Sequence, residues 1–184
     1  SSSVASKKTL SATMGPPSLA SSPVANGSST SSSSSSNNYS QYDPRYYLEL
    51  LRDGPLPQPT RLYSDKELQR EAAKAMDLCG RTADWQDRMK GLSLLQALVL
   101  GDALEYERDL VSILKKNHDI LIAQISDLRS VLSKEGCRTV GILARRLGPS
   151  FHPLVDVLVP PLLKLLLLKI KIMSGAADKT MRIL

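Results

Sequence analysis

The chain has 184 residues, with 24 Lys and Arg against 18 Asp and Glu, so its formal charge is +6 at pH 7. That balance favours acidic partners such as nucleic acid, anionic lipid or an acidic protein surface. The length allows one domain plus a tail. Two cysteines, Cys79 and Cys137, lack CxxC spacing and fall inside helical patterns, which argues against a disulfide scaffold or a zinc site and for a reducing compartment.

Residues 1–42 are Ser-rich with scattered Pro and Gly, including an unbroken serine run from Ser31 to Ser36. Ordering each residue costs roughly 1–2 kcal/mol, and this composition offers little apolar area in return, so a disordered tail is expected. Residues 43–59 form a second piece: a short helix from Asp43 onward, then a connector with Pro55, Pro57 and Pro59. This piece either docks on the domain that follows, the reading adopted here, or serves as a short partner-binding motif.

Residues 60–184 carry the helical signal. Ser64-Asp65-Lys66-Glu67 is a capping box, in which Ser64 caps the helix and Glu67 reaches back to the cap N–H. Leu68, Ala72, Ala75, Met76 and Cys79 follow on one face, and Gly80 closes the helix. A second helix starts at Asp84-Trp85 and carries Met89, Leu92, Leu95 and Val99 to Gly101. A third runs from about Glu105 through Leu110, Leu114 and Leu121 to Ile122. The fourth is capped by Ser126 or Asp127, places Arg129 in its first turn and presents Leu128, Val131, Leu132, Val140, Leu143 and Leu147 on one face. Gly148-Pro149 ends it, glycine accepting a left-handed cap. A fifth starts at Ser150, and Pro160-Pro161 should kink it because both residues lack an N–H donor. A sixth begins near Lys171. The apolar run from Leu154 to Ile172 holds Asp156, two prolines and two lysines, a load that suits a buried helix and not a membrane span.

Odd helices start at 64, 105 and 150, and even helices at 84, 127 and 171. Two-helix repeats of 40–47 residues are the HEAT/armadillo period, so the fold class expected is an all-α HEAT-repeat solenoid behind a disordered N-terminal tail. Gly136 and Gly141 should mark close helix approach, since glycine otherwise weakens a helix by about 1 kcal/mol relative to Ala. The chain opens on Ser1 and stops inside an apolar pattern, so a piece of a longer protein is expected.

Catalysis has little material. His118 and His152 are the two histidines; neither neighbours a cysteine or a paired carboxylate, and no HExxH, GxSxG or phosphate loop is present. No cofactor is expected. Binding has more. In stacked antiparallel hairpins the turns within each repeat fall on one edge, which here collects Trp85 from the first turn, Arg129 and Ser130 from the second, and Lys169 and Lys171 from the third. Trp and Arg are the residue types that dominate protein contacts, at roughly 2 kcal/mol or more each. Each has a bland alternative: Trp85 as a staple on its own hairpin, Arg129 paired with Asp127 or Glu135, and the lysines snorkelling around an apolar helix end. Glu135 is expected to pair with a cation, Arg88 to be structural, and Cys137 to pack.

Asp84-Trp85-Gln86-Asp87-Arg88 with Leu95, Asp127-Leu128-Arg129-Ser130 followed by Lys134-Glu135-Gly136-Cys137, Leu147-Gly148 with Phe151, and Lys171-Ile172-Met173 with Ser174-Gly175 together resemble the CLASP (cytoplasmic linker-associated protein) family, in its TOG domain. The likeness runs from about Leu62 to the end. It implies a partial TOG array of about three HEAT repeats, no enzyme activity, and αβ-tubulin and microtubules as partners. Trp85, Arg129 and Lys171 map onto the family's contacts in the three turns. It also implies suppression of catastrophe and promotion of rescue at plus ends, the spindle and kinetochores, and a place in the cytoplasm on the microtubule cytoskeleton. Nucleic acid and membrane are not expected partners. The competing reading is a HEAT scaffold for another acidic protein. The chain departs from the family in having Leu167-Leu168-Lys169-Ile170 where polar residues are usual, a run that could fuse the third turn into a longer helix. The Ser-rich segment also lacks an S-x-I-P motif, so it does not support recruitment by end-binding proteins, and other microtubule plus-end proteins are partners to expect through regions outside this sequence.

Overall fold

Ser64 opens the first hairpin as the sequence requires, its Oγ accepting a hydrogen bond from the Glu67 N–H at 3.2 Å. The Glu67 carboxylate reaches back one residue further than a standard capping box, to the Tyr63 N–H at 3.0 Å. The helix so capped, α2 (Asp65–Gly80), turns into α3 (Trp85–Leu100). In the computed structural model, which describes residues 44–184, two further hairpins follow. A 3-10 turn (Asp102–Tyr106), α4 (Glu107–Lys116) and α5 (His118–Ile125) lead into α6 (Ser130–Leu147). A second 3-10 turn (Gly148–Phe151) and α7 (His152–Leu166) lead into α8 (Lys171–Met181). Ahead of them lies α1 (Pro44–Arg52). The expected disordered tail lies outside the described residues. No strand occurs among the described residues, and the chain is an all-α HEAT-type solenoid. None of its described helices is long and apolar enough to cross a membrane.

Four local expectations are revised. The single third helix is interrupted at Asn117, which closes α4 with its backbone N–H to the Ile113 and Leu114 carbonyls and its side-chain Nδ2 to the Ile113 carbonyl at 2.8 Å, local side-chain bonding of the kind that makes Asn a poor helix interior. The fourth helix begins at Ser130 and not at Asp127, because Asp127 turns the chain by accepting the Arg129 N–H at 2.8 Å. Leu128 and Val131 therefore drop out of the apolar face and are exposed, while Leu132, Cys137, Val140, Leu143 and Leu147 fill it. Pro160 and Pro161 both lie inside α7, in the helix where the sequence placed them, and Pro161 is buried. The third turn does not fuse, since α7 stops at Leu166 and α8 starts at Lys171.

The hairpins stack in parallel register. Arg88 near the start of α3 meets Asp127 before α6, Gln96 midway meets Thr139 at 2.8 Å, and Arg146 at the end of α6 donates to the Val99 carbonyl at 3.1 Å. Between α6 and α8, Thr180 Oγ1 donates to the Cys137 carbonyl at 2.9 Å, and Gly141 lies beside Ile183. Helices α3, α6 and α8 thus run side by side in one direction. The three turns that precede them share one edge.

The α1 segment docks, as the sequence reading adopted. Leu50 is buried against Gly141, where an added Cβ would lie 2.7 Å from Leu50 Cδ1. Buried Arg138 of α6 donates to the carbonyls of Leu50, Leu51, Gly54 and Pro55, taking up the orphan carbonyls that end a helix. Lys179 of α8 pairs with Asp53 at 2.9 Å, and Lys134 donates to the Asp53 carbonyl at 3.1 Å. Arg182 stands over the Tyr46 ring at 4.8 Å.

At Gly136, α6 lies directly against the α5 backbone. A Cβ there would lie 2.9 Å from the Gln124 carbonyl carbon and 3.0 Å from the Ile125 nitrogen. Helix propensity alone would make Gly136→Ala stabilising by up to about 1 kcal/mol. Because backbone and not a flexible side chain is in the way, the expected result is a loss of about 1–3 kcal/mol, read from urea unfolding midpoints; a gain would show that α5 can retreat. Gly148 ends α6 with the positive φ read from the sequence, +51°, but its ψ of −129° lies outside the left-handed helical basin.

Cys79 and Cys137 are both buried, and burial pushes each thiol up to about 12 from 9.0. The folded chain keeps these protons to higher pH than the unfolded chain does. The stability this contributes is complete below about pH 9 and declines as pH rises toward about 12. Iodoacetamide at about pH 9 is expected to label both cysteines in denaturant and neither in the native chain.

A candidate protein-binding ridge

Each of the three turns is built by local chemistry. In the first, Asp84 caps α3 by accepting the Gln86 N–H at 2.8 Å, which leaves Trp85 as the first helical residue. The residue stays 41% exposed, and the apolar residues packed in the core do not include it. Arg81 is taken up by Asp77 at 2.8 Å and Asp87 at 3.2 Å. Asp87 also receives a hydrogen bond from Lys90, and these cationic partners, Lys90 foremost, hold its carboxyl below the usual range. The charges of the first turn are therefore largely satisfied internally, and its distinctive feature is the indole.

The second turn is bolted to the first. Arg88, one helical turn beyond Trp85 and buried, donates from Nη1 to Asp127 at 2.7 Å, from Nε to Gln124 Oε1 at 2.8 Å and from Nη2 to the Ala123 carbonyl at 3.3 Å. Gln124 in turn donates to the Cys79 carbonyl at 3.0 Å and the Ile120 carbonyl at 2.8 Å. One arginine and one glutamine thus join the end of α2, the start of α3 and the end of α5. The other oxygen of Asp127 accepts the Arg129 N–H, so the backbone that carries Arg129 is held in place. The Arg129 guanidinium lies 3.7 Å from Asp127 and is 55% exposed. This is a loose pairing with one of the two carboxylates the sequence offered; the other, Glu135, is engaged by Arg138 at 3.0 Å and by Gln96 at 2.6 Å. Ser130 is the first residue of α6 and half-buried.

The third turn exposes Lys169 and Lys171, neither of which forms an ion pair with any described residue. Positive charge open to a partner therefore increases along the ridge, from a neutralised first turn to two unpaired lysines. The turns also expose apolar residues that the helical pattern had assigned to the core or passed over. Leu128 is 95% exposed, Leu167 85%, and Leu168, Ile170 and Ile172 are also open. The available signal for Leu128 was its place between two polar turn residues and ahead of Ser130, which begins α6; counting apolar steps backward from Leu132 masked it. Among the described residues no group of three or more His, Cys, Asp and Glu could hold a metal ion.

Residues 70–184 match the family model described as CLASP N terminal. A CLIP-associated protein of Arabidopsis thaliana is 28% identical over 125 residues, covering 68% of this chain and 9% of its own length. Protein stu-1 of Neurospora crassa is 32% identical over 98 residues, 53% of this chain and 9% of that protein. CLIP-associating protein 1-B of Xenopus laevis is 26% identical over 143 residues, 77% of this chain and 10% of that protein. The chain thus spans about a tenth of the length of these relatives.

Proposed function

Because this chain belongs to the CLASP N-terminal family, we propose that its ordered part is a tubulin-binding HEAT array of a microtubule-associated protein. The ridge seats the αβ-tubulin dimer, with Trp85 as anchor and Arg129, Ser130, Lys169 and Lys171 along its length. The domain division that goes with this reading is a linker over 1–42, the helix and connector of 43–59, and the partial TOG array of 60–184. The observation that carries the reading is the exposed indole at the first turn, joined through the buried Arg88–Asp127 pair to a turn that displays a cation. A large aromatic left partly exposed, on the same edge as an arginine whose backbone is anchored, has the composition of an interface anchor.

No bond is made or broken. A protein that binds one conformation of tubulin better than another shifts the population toward it by the difference in affinity, and that difference is how such an array stabilises microtubules at plus ends and in the spindle. The corresponding location is the cytoplasm, on the microtubule cytoskeleton. Co-migration of the 184-residue chain with purified αβ-tubulin in size exclusion is the expected result. Separate elution at micromolar concentrations would count against the proposal. Binding to DNA that falls steeply with salt and ignores Trp85 would point to non-specific electrostatics instead.

A further inference from the structure

We infer that the ridge holds its partner through an aliphatic row as well as through charge, Leu128, Leu167 and Ile170 entering an apolar recess with an acidic rim on the protein it binds. The inference rests on the tubulin-binding reading, whose site it extends to residues that no comparison assigns.

Within the array Leu128 has nowhere else to go. Leu128 sits in the middle hairpin, where α6 already packs against α3 on one side and α8 on the other, and it remains 95% exposed. No neighbour in the array covers it. Its backbone is held on both sides, because Asp127 is anchored by Arg88 and binds the Arg129 N–H. The third turn is similarly closed: Leu167 N–H donates to the Lys164 carbonyl, Leu168 N–H to Leu165, and Met173 and Ser174 N–H to Ile170. Side chains displayed from fixed backbone lose little further entropy on binding. An exposed leucine adds nothing to the turn itself, where a polar residue would serve as well.

The chemistry of the occupant follows from the alternation. Leu128 is followed by Arg129, Leu167-Leu168 by Lys169, and Ile170 by Lys171, so each apolar contact is flanked by a cation and the matching surface pairs apolar recesses with carboxylates. An anionic bilayer would offer the same two features. The first turn opposes it, because Arg81 and Lys90 are already taken up by Asp77 and Asp87 and leave lipid phosphates no free cation there, whereas a protein partner can meet that turn through the exposed Trp85. A row drawn from turns on successive hairpins, with helices packed 8–10 Å apart, also suits a globular protein face.

The test uses the 184-residue chain and purified αβ-tubulin at about 50 and about 200 mM KCl. Leu128→Ser and the double variant Leu167→Ser/Ile170→Ser are expected to bind about tenfold more weakly at both salt concentrations, with melting temperatures within about 2 °C of the parent. Arg129→Gln/Lys171→Gln is expected to lose most at the lower salt, where charge is least screened. If the serine variants bind as the parent does while Trp85→Ala fails, the aliphatic row is wrong and the ridge stands. If Trp85→Ala also binds normally, the ridge reading itself falls. Serine variants that lose binding to phosphatidylserine vesicles but not to tubulin would assign the row to lipid and overturn the inference.

Discussion

Replacing Trp85 and Arg129 together with Ala is expected to remove tubulin binding while leaving the thermal melt of the chain unchanged. Interface anchors of these two types contribute roughly 2 kcal/mol or more each, which corresponds to a combined loss on the order of 1,000-fold in affinity. The melt should not move because neither side chain supports the fold. Trp85 lies outside the packed core, and the bond that shapes the second turn comes from the Arg129 backbone N–H to Asp127, which alanine retains. The 3.7 Å contact between Arg129 and Asp127 is half exposed, and exposed pairs contribute about 0–1 kcal/mol. Size exclusion with tubulin and a calorimetric melt of the same preparation are the two measurements. Retained binding would remove the ridge from the mechanism; lost binding with a lower melt would reassign Trp85 to its own hairpin.

Arg88→Met is expected to be the more damaging change to the fold. Arg88 and Asp127 are 7% and 11% exposed, and breaking a buried pair by removing one partner costs about 3–5 kcal/mol because the remaining charge is left uncompensated. Gln124 Oε1 and the Ala123 carbonyl lose the same donor. The melting temperature should fall by about 10 °C. Arg88→Met/Asp127→Asn removes the stranded carboxylate and should recover part of the loss, the non-additivity expected of residues in contact. Two single-variant losses that simply add would mean that the pair is not coupled as its 2.7 Å geometry requires. Since this pair also fixes the second turn relative to the first, the double variant should fold yet bind tubulin more weakly than the parent.

The contrast between these variants follows what could be read from residues alone. Ser64, Asp84 and Gly148 mark helix ends through bonds or backbone angles that reach no more than a few residues, so they were legible. Asn117 and the late start of α6 were missed although their bonds are also local, because a continuous apolar pattern ran across both positions. Placing Leu128 on the core face was the same error. The docking of α1 was one of two open alternatives, since the arginine that settles it stands 84–88 positions along the chain from the Leu50, Leu51 and Gly54 carbonyls it receives.

By itself the sequence determined the all-α class, the repeat of helical pairs and the placing of Trp85, Arg129, Lys169 and Lys171 at turns, because helix period and capping are properties of neighbouring residues. Only the tertiary structure decided that Arg88 bolts two turns together, that Arg138 holds α1, that the cations of the first turn are already spent on carboxylates, and that Leu128 and Leu167 face outward. Those outcomes depend on which groups compete for the same partner across hairpins, and that competition has no expression in the order of residues along the chain.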